Sequence, residues 1–226
     1  MTISLSVAET AVRDLLDEPT PQFWSNVQLD RWINEGCFDV ARRVEWKRVT
    51  APISVIANTN TYTAPVDVYR IYRVEFVPTG SQNMYHVAFR GYMEMDQIWG
   101  INPQWPASYP LYYTLWKVPP IMNIILYPVP SQNGTLTVYY YQQVTIAVAG
   151  SDPIDVLEGW EDVVYDYACY RALRKDADPR SAEFKATYED KILGMMDSTR
   201  TFQDQAGTFT TGQSAMPVWL VSDGLY

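Results

Sequence analysis

The chain has 226 residues, 47% of them hydrophobic and 19% charged, with a formal net charge of −9. That length suits one domain or two small ones, each able to bury a core of its own. The acidic balance disfavours a protein that grips nucleic acid by neutralising phosphates, and no apolar run approaches the ~20 residues needed to cross a bilayer.

Aromatic residues are abundant, with 17 Tyr and 8 Trp. Such rings serve cores and protein interfaces alike, because each joins a large apolar face to a polar tip. Cys37 and Cys169 lie far apart, each within a predicted helix. The spacing favours two inert core thiols over a disulfide. No basic stretch followed by an apolar block opens the sequence, so a chain made and used in a cytoplasm is expected.

The spacing of Leu5, Ala8, Val12, Leu15 and Leu16 predicts a first helix over Ser4–Asp17, closed by Pro19 and Pro21. Ser25 reads as the N-cap of a second helix, with Gln28 as its capping-box partner. Leu29, Ile33, Cys37, Val40 and Val44 mark one face of that helix, widened by Trp32 and Phe38, to about Lys47.

From Ala51 the period changes to two. Ile53, Val55 and Ala57 alternate with polar residues, a turn follows at Asn58–Asn60, and Tyr62 begins a return strand. Val66–Val77, Met84–Phe89, Leu111–Lys117, Ile121–Tyr127 and Thr135–Val144 read as further strands. A short helix fits Gly91–Trp99, and Gly100–Pro110 reads as a loop. Asn133-Gly134 is expected to supply the positive φ values of a tight reversal.

Helical periodicity returns after Asp152-Pro153, which reads as a helix start. Trp160, Val164, Tyr167, Ala168 and Arg171 carry that helix to about Asp176. Asp178 caps a last helix with Pro179 at its first position, where a missing N–H matters least. Phe184, Tyr188, Ile192, Met195 and Thr199 form its stripe. Beyond Phe202 the composition turns to Gly, Gln, Thr and Ser, and then to the apolar Val218, Trp219, Leu220 and Leu225, a tail suited to docking on a neighbour.

The expected architecture is α+β. An antiparallel β domain over 51–150, sandwich- or barrel-like, is flanked by N-terminal helices over 1–50 and a helix pair over 151–203. The helices pack as one bundle, and 204–226 forms an extended tail.

Little catalytic chemistry is written in the chain. His86 is the one histidine, in a predicted strand, and no second His or clustered Cys accompanies it as a metal ligand. No phosphate-binding Gly-rich loop, HExxH, GxSxG or CxxC occurs. Glu158, Glu161, Asp162 and Asp166 share one side of a helix. Paired carboxylates for glycoside hydrolysis are one reading; a solvated acidic face at a helix N-terminus is the plainer one. Arg42, Arg43, Lys47 and Arg48 form a basic run around the end of the second helix, suited to a helix terminus or an interface cluster.

The order of motifs resembles phage head–tail adaptor proteins, the tail tubular or gatekeeper-like adaptors among them. Trp24-Ser25-Asn26, Leu29, Trp32-Ile33-Asn34-Glu35 and Ala41-Arg42-Arg43 resemble their opening. Ile124-Ile125-Leu126-Tyr127-Pro128-Val129-Pro130, leading to Gly134, Leu136, Val138 and Tyr140, resembles their middle. Tyr165, Tyr167, Ala168 and Tyr170 before Asp178-Pro179 and Tyr188 resemble their late helix pair, so the likeness spans most of 10–200.

The resemblance implies a non-enzymatic virion protein with no catalytic, cofactor or metal residues. It would form a twelve-subunit ring beneath the portal protein, extend the DNA channel and offer a platform to the tail or nozzle. DNA would pass through without specific binding, since an acidic wall repels it. Subunit or portal contacts are expected at Arg42, Arg43, Lys47, Phe209, Trp219, Leu220 and Tyr226. Three further readings stand beside it: a carbohydrate-binding β module displaying Trp99, Trp105 and Trp116, a hydrolase using the acidic helix and His86, and another ring component such as a head-completion or tail-terminator protein.

Overall fold

The computed structural model describes residues 3–99, 109–119 and 121–210. In chain order the elements are α1 (Leu5–Leu15), α2 (Asn26–Val44), β1 (Arg48–Val55), β2 (Thr61–Thr63), β3 (Val68–Pro78) and β4 (Tyr85–Phe89). They continue with α3 (Tyr92–Trp99), β5 (Tyr112–Trp116), β6 (Asn123–Tyr127), β7 (Gly134–Gln142), α4 (Glu161–Lys175) and α5 (Ser181–Thr210). The chain divides into two compact units, one formed by Met1–Val44 with Val148–Tyr226 and the other by Glu45–Ala147.

In the helical unit, α1 buries Leu5, Ala8 and Val12, as their spacing predicts. Ser4 occupies its N-cap position without a side-chain capping bond to the helix backbone. The free N–H groups of its first turn are satisfied instead by the distant 150–152 segment. Leu5 N–H donates to the Asp152 carbonyl at 2.8 Å and Ser6 N–H to that of Gly150 at 3.0 Å. This corrects the reading of Asp152-Pro153 as a helix start. The Asp152 carboxylate accepts from the Val148 and Ala149 N–H groups at 3.0 and 2.8 Å, closing a turn that braces α1, and α4 begins only at Glu161.

Between α1 and α2, Glu18 organises the connection. It is 6% exposed, and its Oε1 accepts from the backbone N–H groups of Gln22, Phe23 and Trp24. Ser25 and Gln28 then form the expected reciprocal cap. Ser25 N–H donates to Gln28 Oε1 at 3.2 Å, and Gln28 N–H to Ser25 Oγ at 3.4 Å. α2 buries Leu29, Ile33, Cys37, Val40 and Val44. It stops short of Lys47 because Glu45 takes a left-handed φ of 53°.

Three cations tie α2, α4 and α5 together. Arg171 reaches Glu35 at 3.0 Å, Arg43 reaches Glu189, and Lys191 reaches both Asp162 and Asp166 at 2.6 Å. Cys37 and Cys169 are free and buried, and burial pushes each thiol up to about 12, so both stay protonated and inert at neutral pH.

In the other unit, seven strands form one mixed, nearly closed barrel-like sheet in the order β1-β7-β3-β4-β5-β6-β2. Every pairing is antiparallel except that of β4 with β5. Its core gathers Val74, Phe76, Val87, Ile124, Leu136 and Val138. β1 alternates exposed and shielded residues, as its sequence predicts. Pro52 is tolerated there because β1 is an edge strand, paired only with β7.

Three expectations about this unit are corrected. The sheet is mixed rather than antiparallel throughout, because β5 runs parallel to β4. β2 does not return along β1; it pairs with β6, through Tyr62 opposite Ile124. Neither Asn133 nor Gly134 has a positive φ. Gly134 is required for space instead: a Cβ there would lie 2.5 Å from both the Phe76 ring and the Val77 carbonyl oxygen.

Candidate interaction surfaces

The residues expected to make subunit contacts fall in different places. Arg42 is exposed near the end of α2. Arg43, one residue on, is engaged within its own unit: its guanidinium donates to both Glu189 carboxylate oxygens, at 3.1 and 2.5 Å, and lies 5.6 Å from the centre of the Tyr188 ring. Its hydrogen bonds to Glu189 raise the Arg43 pKa and depress that of Glu189. Tyr188 donates to Asp39 at 2.5 Å, and burial, then that bond, raise its own pKa. Lys47 belongs to the other unit and is half-buried, its carbonyl accepting from Gln142 N–H at 2.9 Å. Phe209 lies in the last turn of α5, and Trp219, Leu220 and Tyr226 lie outside the described residues.

Of the acidic run, Glu158 precedes α4 and so shares no helix face with the rest, while Asp162 and Asp166 pair with Lys191 of α5. Asp166 is 5% exposed and shares the Lys191 ammonium with Asp162. Burial raises the Asp166 pKa, opposed by Lys191. His86 stands exposed in β4, in register with Glu75 of β3. The carboxylate of Glu75 is buried and already engaged by Arg73 and by the Tyr139 hydroxyl at 2.7 Å. Among the described residues no cluster of three His, Cys, Asp or Glu side chains is placed to hold a metal ion, and no helix is long and apolar enough to cross a membrane.

Two surfaces were missed in the sequence reading. The first is a cavity of about 530 Å³ between α2 and α4, lined by Gln28, Arg31, Trp32, Arg171, Arg174 and Lys175. Arg31 and Arg171 both reach Glu35, at 2.8 and 3.0 Å. Arg174 accompanies the Tyr170 hydroxyl at 2.7 Å, and the Lys175 ammonium lies 5.7 and 5.9 Å from the centres of the Trp24 and Trp32 rings. The i, i+3, i+4 spacing of Arg171, Arg174 and Lys175 was a legible signal of one cationic face. Arg31, from a helix far away in sequence, was not.

The second is the outer face of β3 and β7. The register of β3 on β7 slips between Val68 and Arg70 and again between Ile71 and Arg73, so Tyr69 and Tyr72 are the extra residues of two bulges. Both tyrosines are exposed, at 41% and 40%. Arg48 stacks 5.2 Å from the centre of the Tyr72 ring, Arg70 5.2 Å from that of Tyr141, and Arg73 5.5 Å from that of Tyr139. Arg70 and Arg73 are also paired with Glu45 and Glu75, so this face is largely charge-compensated. The repeated Tyr-Arg in Tyr69-Arg70-Ile71-Tyr72-Arg73 was its sequence signal.

With a helical unit and a mixed β unit in one chain, the protein is of the α+β class. The family model described as SU10 adaptor protein matches residues 4–212, nearly the whole chain, and the chain belongs to this family of phage adaptor proteins. No curated protein matches the sequence.

Proposed function

We propose that the chain is a structural, non-catalytic virion protein at the head–tail junction that closes into a ring of about twelve copies, since a head-to-tail contact that closes makes a ring. The ring docks beneath the portal protein, extends the DNA channel and presents the platform on which the tail or nozzle assembles. The helices α1, α2, α4 and α5 act as one bundle for ring and portal contacts, with Arg42, Lys47 and the segment after Phe202 at those contacts. The β unit faces the tail. Assembly takes place in the host cytoplasm.

The observation that carries this reading is the family match across residues 4–212. The net charge of −9 supports the conduit role: an acidic ring repels passing DNA rather than holding it, and retention would slow both packaging and ejection. The test is light scattering and particle imaging of the purified chain, alone and mixed with its portal. Monomers that become a ring of portal symmetry on mixing are the expected result. A chain that stays monomeric and indifferent to the portal would overturn the reading.

A further inference from the structure

Four of the chain's 17 Lys and Arg residues converge on the α2–α4 cavity, and no Asp or Glu lines it. In a protein with 26 acidic residues this is a local inversion of charge. Among the described residues, Arg174 and Lys175 have no carboxylate partner; they rest on the Tyr170 hydroxyl and on the Trp24 and Trp32 rings. The pull of a helix C-terminus on cations accounts for Arg174 and Lys175 in the last turn of α4. It does not account for Arg31, in the second turn of α2 and far from that helix's C-terminus. Its partner Glu35 lies on its C-terminal side, the weaker of the two i, i+4 orders. Arg31 and Arg171 share the single carboxylate of Glu35, so the cavity keeps an excess of positive charge.

We propose that this cavity binds an acidic peptide segment of a partner protein, its carboxylates seated among Arg31, Arg171, Arg174 and Lys175. The proposal deepens the adaptor reading and rests on it for the partner being a virion protein. Two features favour a peptide over other anions. The cations are spread over successive turns of α4 and across to α2, which matches carboxylates spaced along a chain rather than the oxygens of a single phosphate. Trp32, 7% exposed, supplies an apolar floor for the peptide between its charges. A nucleic acid meets the opposite condition, since a long polyanion feels the repulsion of the whole acidic chain while a short segment with two or three carboxylates feels mainly the cavity.

The experiment is a fluorescence anisotropy titration of the full chain with a fluorescein-labelled peptide of alternating glutamate and alanine. Saturable binding is expected, weakened by salt and weakened roughly tenfold by Lys175→Gln or Arg174→Gln, each of which removes a charge-assisted contact. Lys175 donates no hydrogen bond within the described fold, so its variant tests the cavity without disturbing helix packing. Arg90→Gln, in the other unit, is expected to bind as the parent does. Absence of binding, or binding by both cavity variants as tight as that of the parent, would overturn the proposal. So would displacement of the peptide by inorganic phosphate or a single-stranded DNA oligomer at lower concentration than by unlabelled peptide. A chain that forms rings on the portal but ignores the peptide loses only this assignment, and one that binds the peptide but never forms rings loses only the adaptor reading.

Discussion

The Glu9 carboxyl of α1 is hydrogen-bonded to that of Asp30 in α2, and Glu9 titrates in the neutral range. Burial, then the hydrogen bond and charge of Asp30, push the Glu9 carboxyl up to about 7. Asp30 Oδ1 is buried without another donor, so a proton on Glu9 supplies the missing hydrogen. A raised carboxyl pKa means that the native state binds this proton more tightly than the unfolded chain does. The contribution is full below the ordinary value of 4.5 and is lost as pH rises through about 7. Glu9→Gln keeps a donor that does not titrate. Its unfolding midpoint should rise at pH 8 and change little at pH 4, a difference that thermal denaturation at the two pH values will read. Glu18 shows the opposite sign. Burial works against its charge, but three backbone N–H groups and Arg13 hold its carboxyl below the ordinary range, so its contribution fades as pH falls.

At the scale of elements, two glycines set how closely the chain packs on itself, for different reasons. A Cβ at Gly36 would meet the Tyr167 and Val164 side chains of α4 at 3.1 and 3.2 Å. Those side chains can give, and alanine's better helix propensity, ~1 kcal/mol, offsets the crowding. At Gly134 the obstacle includes the backbone oxygen of Val77 at 2.5 Å, which cannot move without breaking the β3–β7 ladder. Gly134→Ala should therefore cost about 1–3 kcal/mol, as overpacking typically does, while Gly36→Ala stays within about 1 kcal/mol of the parent. Urea denaturation of the two variants checks the contrast. The bulges at Tyr69 and Tyr72 belong to this scale as well: by adding two residues to β3 they let Arg70, Tyr72 and Arg73 all face outward, which a regular strand of period two forbids.

At the scale of the whole molecule, the family match ends at residue 212, close to where the composition shifts to a polar and then apolar tail. The buried stripe of α5, Tyr188, Ile192 and Met195, lies before Phe202. Removal of the residues after Phe202 is expected to leave the circular-dichroism spectrum and unfolding midpoint near those of the parent and to abolish capture by the portal. Capture that survives truncation would place the portal contact elsewhere, with Arg42 and Lys47 the next residues to change. α5 itself runs on to Thr210, past the boundary that composition suggested, since Gln and Ala favour a helix and Thr and Gly each cost at most about 1 kcal/mol once the earlier turns are packed.

Local pattern was enough to read the elements. The 3.6-residue stripes of α1, α2 and α5, the Ser25–Gln28 cap, the short helix α3 and the alternation of β1 are all consequences of residues within a few positions of one another, and periodicity reports such neighbours. The acidic balance and the ordered motifs of the adaptor family were equally legible. Only the tertiary structure decided the rest. It chose β6 rather than β1 as the partner of β2, gave Asp152 to the start of α1 rather than to α4, and made Gly134 a matter of space rather than of φ. It also brought Arg31 beside Arg171, Arg174 and Lys175. Each of these depends on segments tens of residues or more apart in the chain, and their meeting is set by the joint burial of all the elements, which no local period records.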